Sequence, residues 1–385
     1  MSNGSKKWGY YSNSMKKVYI HQYNYISPLG ANAQSNWQAI EAYQSGIALQ
    51  PEIGNMNAYY ASVIPNEVID NELQNIDAST LPRVLKMALA ALQPLVEKYR
   101  VTPNSTLVLS TTKGDIKALE NDNIEEASIP FLAEQIASHF GFRKRPVIVS
   151  NACVSGVLAL AVAKRMIQVD MMHDVFIVAV DEVTEFVVSG FNSFQAMSFE
   201  PCKPYDVNRK GVNIGEAAAA VYVSANEPTT ESIEIVGDGA INDANHISGP
   251  SRTGEGLYQS IQSALQEAQI SANQIDYISS HGTATLYNDE MEAIAFDRLG
   301  LNNTPISSLK GYFGHTLGAS GLLETVITCQ MMQHAKVLAN LGIQELGVSK
   351  SINVLAKHQD LNVTYALKTA SGFGGCNTAL ILKKV

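Results

Sequence analysis

Two stretches decide how this chain reads: "VIVSNACVSGVLALAVAKRMI" (147–167) and "ISSLKGYFGHTLGASGLLETVITCQMM" (306–332). Each runs from a short β-rich segment through a tight turn of small residues into an apolar segment with helical spacing. The match predicts a duplicated α/β unit. In the first stretch a thiol, Cys153, stands at the corner between strand and helix. Free backbone N–H groups at a helix start and the positive end of its dipole favour a thiolate there, so the corner predicts a nucleophile. Gly156 and the alanines at 159, 161 and 163 predict a helix that packs closely and lies buried.

Outward from these two units, β-rich runs alternate with helical patterns, as in an α/β fold with covered sheets. One set comprises 105–112, 145–150, 174–180 and 218–224, after a first strand in "KVYIHQYNYIS". A polar connector, "ANEPTTES" (225–232), separates it from a second set at 233–241, 274–282, 304–310, 361–370 and 378–384. The expected halves are 16–228, with Cys153, and 229–385.

Composition narrows the function. The 385 residues are 46% hydrophobic and carry a net charge of −9, so a nucleic-acid partner is not expected: phosphate binding needs clustered positive charge. Four cysteines without paired spacing predict neither a disulfide framework nor a thiolate metal site, and the cytoplasm is the expected location. No run reaches the ~18 apolar residues of a membrane span, and the opening "MSNGSKKWGYYSNSMKK" reads as a polar extension. Two histidines keep company with the thiol in type. His281 follows an apolar run in "SSHGTAT", and His315 lies among small residues in "GYFGHTLGASG", the setting in which α/β folds assemble sites.

The motifs "NACVSG", "KPYDVNRKGVNIGEAAA", "HGTATLYNDEME", "LKGYFGHTLGASGLLE" and "SGFGGCNTALIL", in this order, resemble the β-ketoacyl-acyl-carrier-protein synthases of the elongating, decarboxylating type. The resemblance implies a thiolase-like fold, a duplicated βαβαβαββ chain in five αβαβα layers, usually as a homodimer. By the same resemblance, Cys153 takes an acyl group from the phosphopantetheine thioester of an acyl carrier protein. His281 and His315 stabilise the enolate formed when a malonyl thioester loses carbon dioxide. The backbone N–H groups of Cys153 and Phe373 form the oxyanion hole, Lys310 and Glu324 organise the histidines, and Thr283, Thr285 and Ser248 meet the pantetheine arm. No resident cofactor or metal is implied.

The chain departs from the family at Ser371, where an aromatic residue is common, and at Lys113, beside the expected acyl pocket, so the resemblance leaves fatty-acid and specialised polyketide or polyene assembly both open. A thiolase would use a second cysteine, for which Cys376 is the candidate, but lacks the second histidine motif. Initiating ketosynthases carry asparagine in place of His315. A non-catalytic chain-length factor lacks the nucleophile, although a heterodimer with such a subunit is compatible with the sequence. Arg143, Lys144, Arg145, Lys203, Arg209 and Lys210 are the candidate basic residues for docking an acidic carrier.

Overall fold

The computed structural model describes residues 15–54, 56–243 and 249–385. Ten principal strands form one continuous arrangement. The first five are β1 (Tyr19–Ile26), β2 (Thr106–Ser110), β3 (Val147–Val149), β4 (Asp174–Asp181) and β5 (Ala217–Ser224). The second five are β6 (Ile233–Asn242), β7 (Tyr277–Ser279), β8 (Ile306–Ser307), β9 (Tyr365–Ser371) and β10 (Cys376–Lys384).

The strand order is β8-β7-β9-β10-β6-β1-β5-β4-β2-β3. Within each set of five, the first strand pairs antiparallel with the fifth and the fifth antiparallel with the fourth; the fourth, second and third then run parallel. The same order and the same directions occur twice, which is the expected duplication. Among the described residues, the two sets join where Tyr19 and Ile20 of β1 pair with Glu234 and Ile233 of β6.

Helices cover the sheets in layers. α1 (Arg83–Tyr99) packs on β5, β1 and β4, and α2 (Ile129–Phe140) packs on α1. On the far side, α5 (Glu255–Ala268) packs on β6 and β10, with α6 (Leu286–Arg298) beside it. Between the sheets lie α3 (Ser155–Gln168) and α7 (Ser320–His334), in contact with each other and with strands of both sets. The result is the five-layered αβαβα body. Strands covered on both faces carry continuous apolar runs rather than alternation, which is why every residue of "DVFIVAVD" and "AAAAVYVS" is buried.

The central helices are unusually close. A Cβ at Gly156 of α3 would collide with the backbone nitrogen of Leu322, and one at Gly321 of α7 would stand 2.7 Å from that of Val157. Residues Ser320 through Met332 of α7 are all buried. A polar side chain on such a helix needs a partner supplied by its neighbours. The short strands β7 and β8 stop well before the ends of the apolar runs at 274–282 and 304–310, so Ser280–Gly282 and Ser308–Lys310 leave the sheet edge as site-forming backbone. Among the described residues, no helix is long and apolar enough to cross a membrane.

Candidate active site

Cys153 sits where β3 gives way to α3. The preceding residue, Ala152, has φ +44°, a left-handed conformation costly for a residue with a side chain. The Ser155 hydroxyl holds this corner, donating to the Ala152 carbonyl at 2.7 Å and accepting from the Asn151 N–H at 2.7 Å. Gly372 brings the opposite backbone within reach, since a Cβ there would lie 3.2 Å from the Cys153 nitrogen. The Phe373 N–H bonds the thiol.

The expected thiolate is corrected by burial. Removal from water pushes the Cys153 thiol up to about 11, and the positive charges of Lys310 and Lys113 with the Phe373 N–H offset this only in part. At neutral pH the resting group is therefore a thiol. A helix start raises nucleophilicity only where desolvation does not outweigh it.

His281 and His315 face each other with ring centroids 5.3 Å apart and planes at 84°. His281 follows β7, where its own N–H and that of Gly282 donate to Glu292 at 2.8 and 2.7 Å. His315 is held by its N–H to the Asn213 carbonyl, 2.7 Å, and by the Gly215 N–H to its own carbonyl, 3.0 Å. Burial, the Lys310 charge and other nearby positive charges hold both imidazoles well below their ordinary range, so both are neutral rings. A neutral ring donates through one nitrogen only. Lys310 Nζ lies 3.3 Å from His281 Nδ1, and an ammonium has only donors, so His281 keeps its proton on Nε2.

Lys310 also donates to the His281 carbonyl at 2.6 Å and to Glu324 Oε1 at 2.7 Å. Ser320 donates to the same carboxylate oxygen at 2.8 Å. Despite its burial, the two neighbouring lysines, Lys310 and Lys368, hold Glu324 at about 2.

Two cavities meet at Cys153. One of about 590 Å³ is lined by Cys153, His281, His315, Thr283, Thr285 and Phe373. The other, of about 610 Å³, includes Cys153 and Phe373 with Lys113, Ile129, Phe186 and Leu317. Phe373 lines both, stacked on Phe191 at 5.6 Å and met edge-on by Phe194 at 5.4 Å. Thr283 and Thr285 share a hydroxyl contact of 2.8 Å on the wall of the first cavity. Lys113 is half-buried, and its ammonium donates to Thr112 Oγ1 at 2.8 Å. Ser248 lies outside the described residues.

Three further findings concern residues treated otherwise, or not at all, in the sequence. Arg209, expected on a docking surface, is only 6% exposed; its guanidinium donates to the carbonyls of Asp206, Gly347 and Leu286. Glu292 is not singled out by the sequence motifs; its signal is an acidic residue three positions after Asp289, on the face of α6 that is buried. Lys368, whose signal is a lone lysine in the apolar run "YALKTA", is fully buried, with Nζ 2.6 Å from Glu324 Oε2.

The family model for the N-terminal domain of β-ketoacyl synthases matches residues 15–228, and that for the C-terminal domain matches 233–344. A curated relative, 3-oxoacyl-[acyl-carrier-protein] synthase 2 of Vibrio cholerae, is 24% identical over 97% of this chain and all of its own length. Among solved structures, a ketosynthase in complex with its chain length factor from Xenorhabdus doucetiae matches with a TM-score of 0.84 at 24% identity, over 98% of this chain and 100% of that one. The ishigamide ketosynthase/chain length factor matches with a TM-score of 0.85 at 21% identity, over 97% and 100%. With both family models matched in order across most of its length and the duplicated five-layered fold beneath them, the chain belongs to the β-ketoacyl synthase family of condensing enzymes.

Proposed function

We propose that this protein is an elongating β-ketoacyl-acyl-carrier-protein synthase that joins an acyl group held on Cys153 to a malonyl unit by decarboxylative condensation. The observation that carries the reading is the convergence of the Cys153 thiol, two neutral imidazoles and the Phe373 N–H where two cavities meet.

The acyl thioester enters on the phosphopantetheine arm of an acyl carrier protein, passing Thr283 and Thr285. Its carbonyl oxygen is received by the N–H groups of Cys153 and Phe373, which stabilise the charge that develops as sulfur attacks. The thiol proton leaves as that attack proceeds and passes to the departing carrier sulfur, because burial disfavours a standing thiolate. The acyl chain lies in the cavity bounded by Lys113, Ile129 and Phe186, and the carrier thiol departs. A malonyl thioester then occupies the first cavity. His281, through Nε2–H, and His315 donate to its thioester oxygen, so that loss of carbon dioxide leaves an enolate stabilised by two neutral donors. The enolate carbon attacks the Cys153 thioester, forming the new C–C bond and releasing sulfur. Lys310 and Glu324 hold the His281 ring and backbone throughout. No resident cofactor enters the scheme.

The halves 16–228 and 229–385 supply the nucleophile and the histidines respectively, and neither holds a complete site. The four unpaired cysteines support a reducing compartment, and we take the cytoplasm as the place of action. The dimer partner is a second copy of the chain or a chain-length-factor-like subunit; the two ketosynthase/chain length factor neighbours favour the latter reading. The deciding experiment incubates the protein with acyl- and malonyl-carrier proteins and follows intact mass. An acyl adduct on Cys153 and a β-ketoacyl carrier are expected; failure to load Cys153 from any acyl carrier overturns the proposal.

A further inference from the structure

Lys368 lies in the middle of β9, paired in register with Ser279 of β7 and Leu380 of β10. Alternation places it with Ala366 and Ala370, which belong to the core between the two sheets, whereas Leu367 belongs to the outer core. Its side chain therefore enters the layer of the central helices with no exposure to water. Burying an ammonium there is costly unless it is fully paired. Its partners are Glu324 Oε2 at 2.6 Å and the carbonyls of Thr369, Ser279 and Ser280 at 2.7, 3.2 and 3.4 Å. Ser279 and Ser280 are the two residues before His281. Lys310 takes the other oxygen of Glu324 and the carbonyl of His281 itself.

Resting on the function proposed above, we infer that Lys368 is a positioning residue for His281. The two lysines clamp one carboxylate of α7 to three successive carbonyls, 279 to 281, of the backbone that carries the histidine. With Oε2 occupied by Lys368, Glu324 offers Lys310 a single oxygen, and Lys310 stays within reach of His281 Nδ1. Without Lys368, the carboxylate is free to take Lys310 through both oxygens, drawing it from the ring and releasing the 279–280 carbonyls. Glu292 anchors the other side of the same backbone through the N–H groups of His281 and Gly282, and accepts from Thr369, the neighbour of Lys368, at 3.2 Å. His281 is thus held between two carboxylates, one acting directly and one through lysines.

The test is a mutant cycle on the full-length protein. The wild type is first shown to load Cys153 and to release carbon dioxide from malonyl-carrier protein; if it does neither, the functional proposal fails and Lys368 is not the cause. Lys368→Met is expected to leave acylation within about threefold while lowering kcat for decarboxylation at least about tenfold with little change in KM, the scale of a sub-ångström to ångström misplacement. In ¹⁵N-histidine NMR, the Nε2–H signature of His281, assigned by its absence in His281→Ala, should give way to mixed tautomers. Because Lys368 acts on His281 chiefly through Glu324 and otherwise by its bonds to the Ser279 and Ser280 carbonyls, adding Lys368→Met to Glu324→Gln should cost well under tenfold beyond the single Glu324→Gln change. That comparison also decides the matter if Lys368→Met alone does not fold, since the stranded carboxylate charge is then removed. Unchanged decarboxylation and tautomer in a folded Lys368→Met protein, an equal fall in acylation and decarboxylation, or a further tenfold loss on the Glu324→Gln background would each overturn the inference.

Discussion

Gly156 of α3 and Gly321 of α7 stand at equivalent places in the two repeats, in "CVSG" and "GASG", and lie against each other where the central helices cross. One helix begins beside Cys153 and the other carries Glu324, so this contact sets the nucleophile relative to the groups that hold the histidines. Gly156→Ala forces a methyl into the Leu322 backbone and should destabilise the protein by about 1–3 kcal/mol through overpacking. Gly190→Ala, in α4 (Glu185–Ser193), where an added Cβ meets nothing within 4 Å, should be neutral or stabilising by up to about 1 kcal/mol. Denaturant unfolding of the pair measures the contrast; equal midpoints would remove the crossing from the account.

Access and ionisation together govern the thiols. Cys153 lines two cavities, while Cys376 is part-exposed and Cys202 and Cys329 are buried. Iodoacetamide should therefore label Cys153 and Cys376 before the other two. Labelling of Cys153 should climb as pH rises from 8 towards about 11, where its proton is lost. Prior acylation should protect Cys153 alone. Peptide mapping at several pH values reads this directly, and Cys153→Ser should abolish acyl transfer.

His281→Ala and His315→Ala should each retain acylation of Cys153 and lose about 10²–10³-fold in malonyl decarboxylation, the usual cost of an oxyanion donor. Both rings have depressed pKa values. The neutral form therefore persists as pH falls through 6.5, and the acid limb attributable to these rings should lie well below that value. Labelled carbon dioxide release between pH 5 and 8 checks it; an acid limb at or above 6.5 in the wild type that disappears in either alanine variant would contradict the neutral rings.

Lys113 brings a positive charge to the wall of the cavity expected to take the acyl chain, and that charge draws the Cys153 thiol downward. Lys113→Met should therefore move the pH dependence of Cys153 alkylation further upward. It should also raise the rate of loading from simple aliphatic acyl thioesters, for which a cation beside the chain is a desolvation cost. Acylation rates across a series of chain lengths give the readout.

Carrier docking should depend on Lys210, which is exposed and borders the mouth of the first cavity, and not on Arg209, which is tied to backbone carbonyls beneath it. Lys210→Glu is expected to raise KM for an acyl carrier and to weaken its salt dependence while sparing a small acyl thioester. Arg209→Glu should instead lower the melting temperature, because it strands buried charge.

The duplicated fold was legible in the sequence because its signals are local: a β-rich run, a small-residue turn and an apolar helix, written twice within one chain. Cys153, His281 and His315 are singled out by the same kind of local signal, a reactive residue in a short motif of small residues beside an apolar run, whereas Lys310 and Glu324, the latter inside α7, are named only through the family resemblance. The ionisation of Cys153, the burial of Arg209 and the place of Lys368 were not legible. Each depends on what other parts of the chain bring to the residue. Burial overrides the helix start at Cys153, distant carbonyls occupy Arg209, and Lys368 owes its setting to a carboxylate 44 positions away on α7 and to the end of β7. Desolvation and ion pairing are sums over three-dimensional neighbours, so chain order could set the motifs and the repeat, and only tertiary packing could decide which charges are buried, which are paired and which proton each histidine keeps.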